Sequence, residues 1–296
     1  LHSLRHEVQS SCMGLYPRYV RALQRRGMWF AACTDDGRVV GLSGLVLDYD
    51  GTLSDFVSAS DEAVLHPAAA EALPSLVRQL SLVAVVSGRG GRNVAKRMNI
   101  DGIIYVGNHG AEYISDGEYR VVDGAGEARD RIDAVLKHVI PVAEDEGLFW
   151  EDKGFSVTIH TRKARDLEKA ERRLESALET APEVNTLDVF WGNLVLEIRG
   201  RTGLHKGHAV RALARDHSLE SLIFIGDDTT DIDGMRAVRD IQNDGPLEAI
   251  GIVVNHDGTP QGLIDLADYS VSSVSEVGKF LLWLDESASQ RRKLIR

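Results

Sequence analysis

The stretch Gly44-Leu45-Val46-Leu47-Asp48-Tyr49-Asp50-Gly51-Thr52-Leu53 decides how the rest of the chain is read. A glycine and three aliphatic residues run into two carboxylates one residue apart, then a glycine and a hydroxyl. A short apolar run bounded by a turn signal reads as a buried strand of a parallel sheet. Open α/β sheets place their ligands beyond the carboxyl ends of such strands. Burying one aspartate there is costly without a cation or hydrogen-bond donors, so the pair Asp48 and Asp50 asks for a function. Taken alone, the same residues also read as a solvated Asp-Gly turn leaving a strand. An EF-hand loop fits poorly, because counting from Asp48 the glycine stands fourth and that loop requires it sixth.

Outward from this stretch an α/β rhythm sets in. His66 to Leu80 has helical spacing (Leu73, Leu76, Val77, Leu80) with Pro74 inside as a kink. Leu82 to Val86 is a second all-apolar strand, ending in Ser87-Gly88-Arg89; Arg92 to Met98 is a short helix; Ile103 to Val106 is a third strand, ending in Gly107-Asn108-His109-Gly110-Ala111-Glu112. Strands alternating with helices imply right-handed crossovers in a parallel sheet. The rhythm then changes. A strand over Tyr119–Val122, a helix over Glu127–Ala143, a period-two strand over Phe155–His160, a charged amphipathic helix over Ala164–Thr180 and a hairpin about Gly192-Asn193 suggest an antiparallel sheet with helices on one face. After Arg201 the first rhythm returns. A helix opens at Lys206-Gly207, Leu222 to Ile225 is a strand ending in Gly226-Asp227-Asp228-Thr229-Thr230-Asp231, and strands over 249–254 and 269–271 precede a helix over 274–284. The expected fold class is therefore α/β: a parallel-sheet core over residues 44–112 and 200–296, interrupted by an inserted α/β cap over 113–199. Residues 1–43 form an extension, read as a helix over 14–26 and two short strands around Asp35-Asp36-Gly37, which reads as an added layer on the core or as a docking or oligomerisation element.

Composition narrows the function. At 296 residues the chain is long enough for a core with an insert. Its net charge of −11, with no compensating basic block, argues against a nucleic-acid partner. That charge also repels anions at long range, so any anion site must be built locally. Cys12 and Cys33 both precede the candidate site and offer no metal-ligand spacing. No apolar stretch approaches a membrane span of roughly 18 residues, and the start lacks the apolar segment of a signal peptide. A cytoplasmic location is expected, and the leading Leu suggests a processed or otherwise unusual start.

Four polar clusters follow apolar strands or open a helix: Asp48/Asp50, Ser87-Gly88-Arg89, Lys206 and Asp227/Asp228/Asp231. Carboxylates from two strand ends suit Mg²⁺, a hard cation that prefers oxygen ligands. A lysine at a helix start adds a point charge to the positive end of the helix dipole and suits a phosphoryl group. A serine followed by glycine offers a hydroxyl and an accessible N–H. The chemistry this set supports is phosphoryl transfer, with one aspartate as nucleophile and a second moving a proton.

In this order the clusters resemble the haloacid dehalogenase-like phosphatases over residues 44–112 and 199–272. The resemblance implies Asp48 as nucleophile and Mg²⁺ ligand. It implies Asp50 as general acid/base and as ligand through its backbone carbonyl. Ser87 and Lys206 would hold the phosphoryl group, with Asp227 as the further metal ligand. Thr52, Asp228 and Asp231 would support them, Asp231 by orienting metal-bound water or Lys206. Several further strings are similar to the trehalose-6-phosphate phosphatase family: Gly107 to Glu112, Glu151-Asp152-Lys153-Gly154 leading to His160-x-Arg162, Leu196-Glu197-Ile198-Arg199 and Gly226 to Asp231. That resemblance implies trehalose 6-phosphate as substrate, the cap closing over the disaccharide, and Glu151, Lys153 and Glu197 binding its distal ring. Gly88, Arg89 and His109 would bind from the core side. It also raises a functional partnership, or a fusion, with a trehalose-6-phosphate synthase. Taken alone, Glu151 and Lys153 read equally as a solvated turn and His109 as a satisfied core histidine. Asn108, Ile232 and Gly200 depart from the family's usual serine, acidic residue and proline. Another sugar phosphate, a phosphomutase reaction, or a non-catalytic sugar-phosphate sensor are the competing readings.

Overall fold

Residues 43–47 form a fully buried strand, β1 (Ser43–Leu47), in the computed structural model, which describes residues 43–55, 63–192 and 194–294. The helix and strands expected before residue 43 lie outside the described residues. β1 pairs in parallel on both sides, with β2 (Leu82–Val86) and with β10 (Ser221–Gly226). The sheet continues on one side through β3 (Ile104–Gly107), β4 (Glu112–Ser115) and β5 (Glu118–Val121). On the other it continues through β11 (Glu248–Val254) and β12 (Tyr269–Val271). Along β1, Leu45 and Leu47 pack into one core with α1 (Pro67–Val77) and α8 (Val274–Leu294), whereas Val46 packs into another with α5 (Lys206–Asp216) and α6 (Asp231–Asp244). Burial on both faces is why the strand reads as an unbroken apolar run. α2 (Gly91–Met98) closes the β2–β3 crossover, and α7 (Gln261–Leu266) precedes β12.

The second sheet is antiparallel, in the order β6-β7-β9-β8: β6 (Phe149–Asp152), β7 (Ser156–His160), β8 (Leu187–Gly192) and β9 (Val195–Gly200). Val157, Ile159, Leu196 and Ile198 pack against α3 (Ala125–Asp145) and α4 (Leu167–Thr180) through Ile132, Val135, Leu174 and Leu178. The intervening residues Glu151, Thr158 and Glu197 are direct cross-strand neighbours on the other face. Helices thus cover one face, as the period-two pattern predicts, and the α/β class with a smaller antiparallel cap is what the chain forms.

Three expectations change. The hairpin β4–β5 hydrogen-bonds to β3 and belongs to the large sheet, whereas the reading above gave residues 113–199 to the insert. Glu118, Tyr119 and Arg120 are exposed, so they carry no burial pattern that would assign them to the core. Of the pair that also reads as a solvated turn, Glu151 is a strand residue of β6 and Lys153 follows that strand, and α6 was not anticipated. Pro74 lies inside α1, which continues to Val77.

Candidate active site

The ends of the parallel strands bring the polar clusters together. Asp48 follows β1, Ser87 follows β2, Asp227 and Asp228 follow β10, and Lys206 is the first residue of α5. The amide of Asp48 donates to the Ile225 carbonyl (2.9 Å), carrying the strand pairing one residue beyond β1. Lys206, only 2% exposed, donates from Nζ to Asp48 Oδ1 (2.6 Å) and to Asp231 Oδ1 (2.8 Å), with Asp228 Oδ1 at 3.9 Å. Burial works against the ammonium, but Asp231 and Asp48 outweigh it and hold Lys206 charged well above the usual lysine range. Burial pushes the Asp48 carboxyl well above its ordinary range; Lys206 counteracts this, and Asp231 and Asp227 add to the rise. Burial likewise pushes Asp231 up to about 6.

Asp227 is fully buried: Thr52 Oγ1 donates to its Oδ1 (3.0 Å) and His256 Nε2 lies 3.2 Å from its Oδ2. Carboxylate oxygens of Asp48, Asp227 and Asp231 all lie within 4.8 Å of one another. Three buried carboxylates around one lysine leave a surplus of negative charge, which is expensive without a cation. The donors are all oxygen, the set that a hard divalent ion such as Mg²⁺ takes, so the residues fit the ion. Asp231 is already committed: Oδ1 accepts from Lys206, and Oδ2 accepts from the amides of Asp227 (3.0 Å) and Asp228 (3.1 Å). Gly226 makes this possible, since a Cβ there would lie 2.4 Å from the Asp231 carboxyl carbon. Asp48 therefore has the freest oxygen for a cation, the Asp227 oxygens each carry one contact, and Asp231 braces Lys206 and the loop. Asp228 Oδ1 accepts from the amide and hydroxyl of Thr230 (2.8 and 2.7 Å), which closes the turn into α6.

Ser87 is buried; its Oγ accepts from the Arg89 amide (3.1 Å) and its carbonyl from the His109 amide (3.0 Å). His109 has φ 58° and packs so closely on Gly88 that a Cβ there would lie 2.7 Å from the imidazole Cε1. Burial, with Lys206 and Arg199 nearby, pushes the His109 pKa down to about 3. The imidazole is thus neutral near pH 7 and can offer hydrogen bonds but no charge. Arg89 forms a two-pronged ion pair with Asp50, Nε to Oδ2 and Nη2 to Oδ1, both 2.6 Å.

These groups open into a cavity of about 620 Å³ whose walls include Asp48, Asp50, Ser87, Gly88, Arg89, His109, Lys206 and Asp228 from the core and Glu151, Lys153 and Glu197 from the cap. Thr52, Asp227 and Asp231 stand behind that wall. In the cap, Lys153 Nζ donates to Thr158 Oγ1 (3.0 Å) and lies 4.0 Å from Glu151, and Arg199 donates to Glu197 (2.8 Å). Acidic and basic groups on this face can accept from and donate to vicinal hydroxyls.

Three partners were missed in the sequence. His256 stands just past β11, and its place at a fifth strand end was the available signal. Arg199 lines the cavity next to Glu197. Glu112, 5% exposed, accepts from the Gly91 amide (2.5 Å), Asn108 Nδ2 (2.8 Å) and the Tyr119 hydroxyl (2.7 Å), tying the His109 turn to the start of α2.

A mostly parallel sheet, an inserted antiparallel cap and a buried aspartate–lysine centre form the α/β arrangement that a haloacid dehalogenase-like hydrolase from Bacteroides thetaiotaomicron also has, at a TM-score of 0.56 with 17% identity over 84% of this chain and 98% of that one. The family model described as trehalose-phosphatase matches residues 46–267, and the chain belongs to that family. A trehalose-phosphate phosphatase of Mycobacterium tuberculosis is 32% identical over 270 residues, covering 87% of this chain and 64% of the relative. A protein of the same organism called an uncharacterized glycosyl hydrolase is 33% identical over 71% of this chain, which spans 16% of it. The chain thus spans less than two thirds of the length of these curated relatives. Among solved structures, a trehalose-6-phosphate phosphatase related protein shares the fold at a TM-score of 0.65 with 22% identity, over 84% of this chain and 99% of that one.

Proposed function

We propose that the protein is a Mg²⁺-dependent phosphatase that hydrolyses trehalose 6-phosphate to trehalose and phosphate. The observation that carries this reading is the buried Asp48–Lys206–Asp231 chain beside a cavity that is also lined by Glu151, Lys153 and Glu197 of the cap. Membership of the trehalose-phosphatase family supports the choice of sugar.

Asp48 Oδ attacks phosphorus, and the bond from phosphorus to the sugar oxygen breaks. Asp50 supplies the proton to that oxygen. Water then attacks the phosphorus of the aspartyl-phosphate, Asp50 takes its proton, and Asp48 is regenerated. Arg89 donates to both Asp50 oxygens, and this fork sets where Asp50 stands when it carries a proton. Ser87 and Lys206 hold the phosphoryl oxygens. Held by Asp48, Asp227 and the Asp50 carbonyl, Mg²⁺ would offset the charge of an anionic nucleophile approaching an anionic phosphate. Glu151, Lys153 and Glu197 bind hydroxyls of the distal ring, with Gly88, Arg89 and His109 on the core side. The substrate is a small soluble sugar phosphate, and no helix among the described residues is long and apolar enough to cross a membrane. A cytoplasmic setting beside a trehalose-6-phosphate synthase completes the reading.

Phosphate release from trehalose 6-phosphate by the purified protein tests this. Turnover is expected with Mg²⁺, is lost with chelator, and is lost in Asp48→Asn. Turnover that survives Asp48→Asn would exclude the covalent route, and turnover indifferent to chelator would exclude the metal.

A further inference from the structure

Between Glu151 and Lys153 stands Asp152, the last residue of β6, which also borders the cavity. It meets Arg129 of α3. Arg129 Nη1 donates to Asp152 Oδ1 (2.6 Å) and to the Gly154 carbonyl (2.6 Å), and Nη2 donates to Asp152 Oδ2 (2.8 Å) and Asp133 Oδ1 (2.5 Å). Asp152 Oδ1 also accepts from the Gly154 amide (2.8 Å), and Gly154 sits at φ 90°, a conformation that favours glycine. The Asp152–Gly154 turn is thus closed on itself and tied to α3 by a planar fork.

The same turn lies against the core. A Cβ added to Gly154 would be 3.3 Å from Asn108 Nδ2, and one added to Gly90 would be 3.5 Å from the Lys153 carbonyl. Gly90 directly follows the Ser87–Arg89 loop, and Asn108 precedes His109. The turn therefore fits between a cap helix and the core loops of the reaction centre, and its height above them sets where Lys153 and Glu151 stand. The Lys153 side chain donates one hydrogen bond among the described contacts, to Thr158, and its amide donates to the Ser156 carbonyl (2.9 Å), so the backbone of the turn sets its position.

We propose that Arg129 is a positioning residue for substrate recognition. It fixes the Asp152–Gly154 turn so that Glu151 and Lys153 meet the polyhydroxylated part of the substrate away from phosphorus. The inference rests on the cap reading above. Arg129 and Asp152 side chains are 28% and 33% exposed and stand outside the apolar core of the cap, so their removal should act through the geometry of the turn and leave the cap folded.

The test compares trehalose 6-phosphate with p-nitrophenyl phosphate, a phosphomonoester with no second ring, in Arg129→Ala, Arg129→Lys, Asp152→Ala and the Arg129→Ala/Asp152→Ala double variant. Displacing a binding group by an ångström can cost up to about a hundredfold. KM for trehalose 6-phosphate is expected to rise about tenfold or more, with kcat, melting temperature and the constants for p-nitrophenyl phosphate unchanged. Lysine should fail to rescue, because an ammonium cannot form the fork. The double variant should be no worse than either single one, as expected for two residues acting on one turn. Equal losses for both substrates with a lowered melting temperature would assign Arg129 a structural role and overturn the proposal. Amide hydrogen exchange at Lys153 and Gly154 reads the clamp with no substrate present. It should quicken in Arg129→Ala, and an unchanged rate overturns the clamp whatever the wild-type protein hydrolyses. A wild-type protein that shows no preference for trehalose 6-phosphate, while exchange does quicken, would instead place the fault in the substrate reading.

Discussion

Lys206 holds the charge balance of the reaction centre. Its ammonium is shared by Asp48 and Asp231, and breaking a buried pair by removing one partner costs about 3–5 kcal/mol. Lys206→Met should therefore lower unfolding stability in urea by that order. It should also reduce kcat by about a hundredfold or more, as loss of an electrostatic stabiliser does. A variant as stable as the wild type would contradict the ion-pair account. His109 offers a second test, through pH. Its pKa is pushed down to about 3 in the folded protein, whereas an unfolded histidine takes its proton near 6.5. Between those values the unfolded chain binds the extra proton, so the contribution of His109 to stability is complete above about pH 6.5 and is lost as pH falls toward 3. The metal-free wild type should accordingly lose melting temperature from pH 7 to pH 5 more steeply than His109→Asn, asparagine being tolerant of the positive φ. Parallel curves would contradict a buried neutral imidazole. Lys206 was legible because lysine followed by glycine opens a helical pattern after a loop. His256 was not: its link to Asp227 depends on β10 and β11 being neighbours, a pairing that lies in the topology rather than in any local pattern.

At the scale of elements, the strands that carry the chemistry were the most readable. β1, β2, β10 and β11 are buried on both faces and stand out as aliphatic runs. β6 was hidden because Glu151 and Asp152 face solvent-filled space on one side and Arg129 on the other, leaving no apolar alternation to read. α6 was hidden for a similar reason: its buried positions Gly234, Met235, Ala237 and Val238 include two small residues, and its acidic first turn merges with the Asp227–Asp228 cluster. The junction of β3 with α2 shows how tightly these elements are fitted. A Cβ on Gly107 would lie 2.1 Å from the Gly91 amide nitrogen and 2.4 Å from Glu112 Oε1. Overpacking of this kind costs about 1–3 kcal/mol, so Gly107→Ala should lower the urea midpoint accordingly. It should also disturb the Ser87–Arg89 loop, because the Asn108 amide donates to the Arg89 carbonyl. An alanine variant of unchanged stability would show that α2 can shift at no cost.

For the whole molecule, the net charge is −11, yet basic side chains stand around the cavity. Lys206 and Arg89 line the cavity from the core, Lys153 and Arg199 from the cap, and each stands beside a carboxylate. In the proposed reaction a phosphate would be met locally rather than drawn in from a distance, as the composition implies. The interruption of the parallel core by a cap was legible from the switch in hydrophobic period, but the boundary was not. β4 and β5 extend the large sheet, so the second sheet and its helices begin after Val121. Under the proposed function the labour divides accordingly: core residues act on phosphorus, and cap residues choose the sugar. The measurement that tests this most directly is the ratio of kcat/KM for trehalose 6-phosphate to that for glucose 6-phosphate, in the wild type and in Glu151→Ala, Lys153→Ala and Glu197→Ala. The account predicts a strong preference for the disaccharide that collapses in the variants through loss of trehalose 6-phosphate turnover, while glucose 6-phosphate turnover stays where it was. Equal turnover of the two substrates by the wild type, or an unchanged ratio in all three variants, would contradict it.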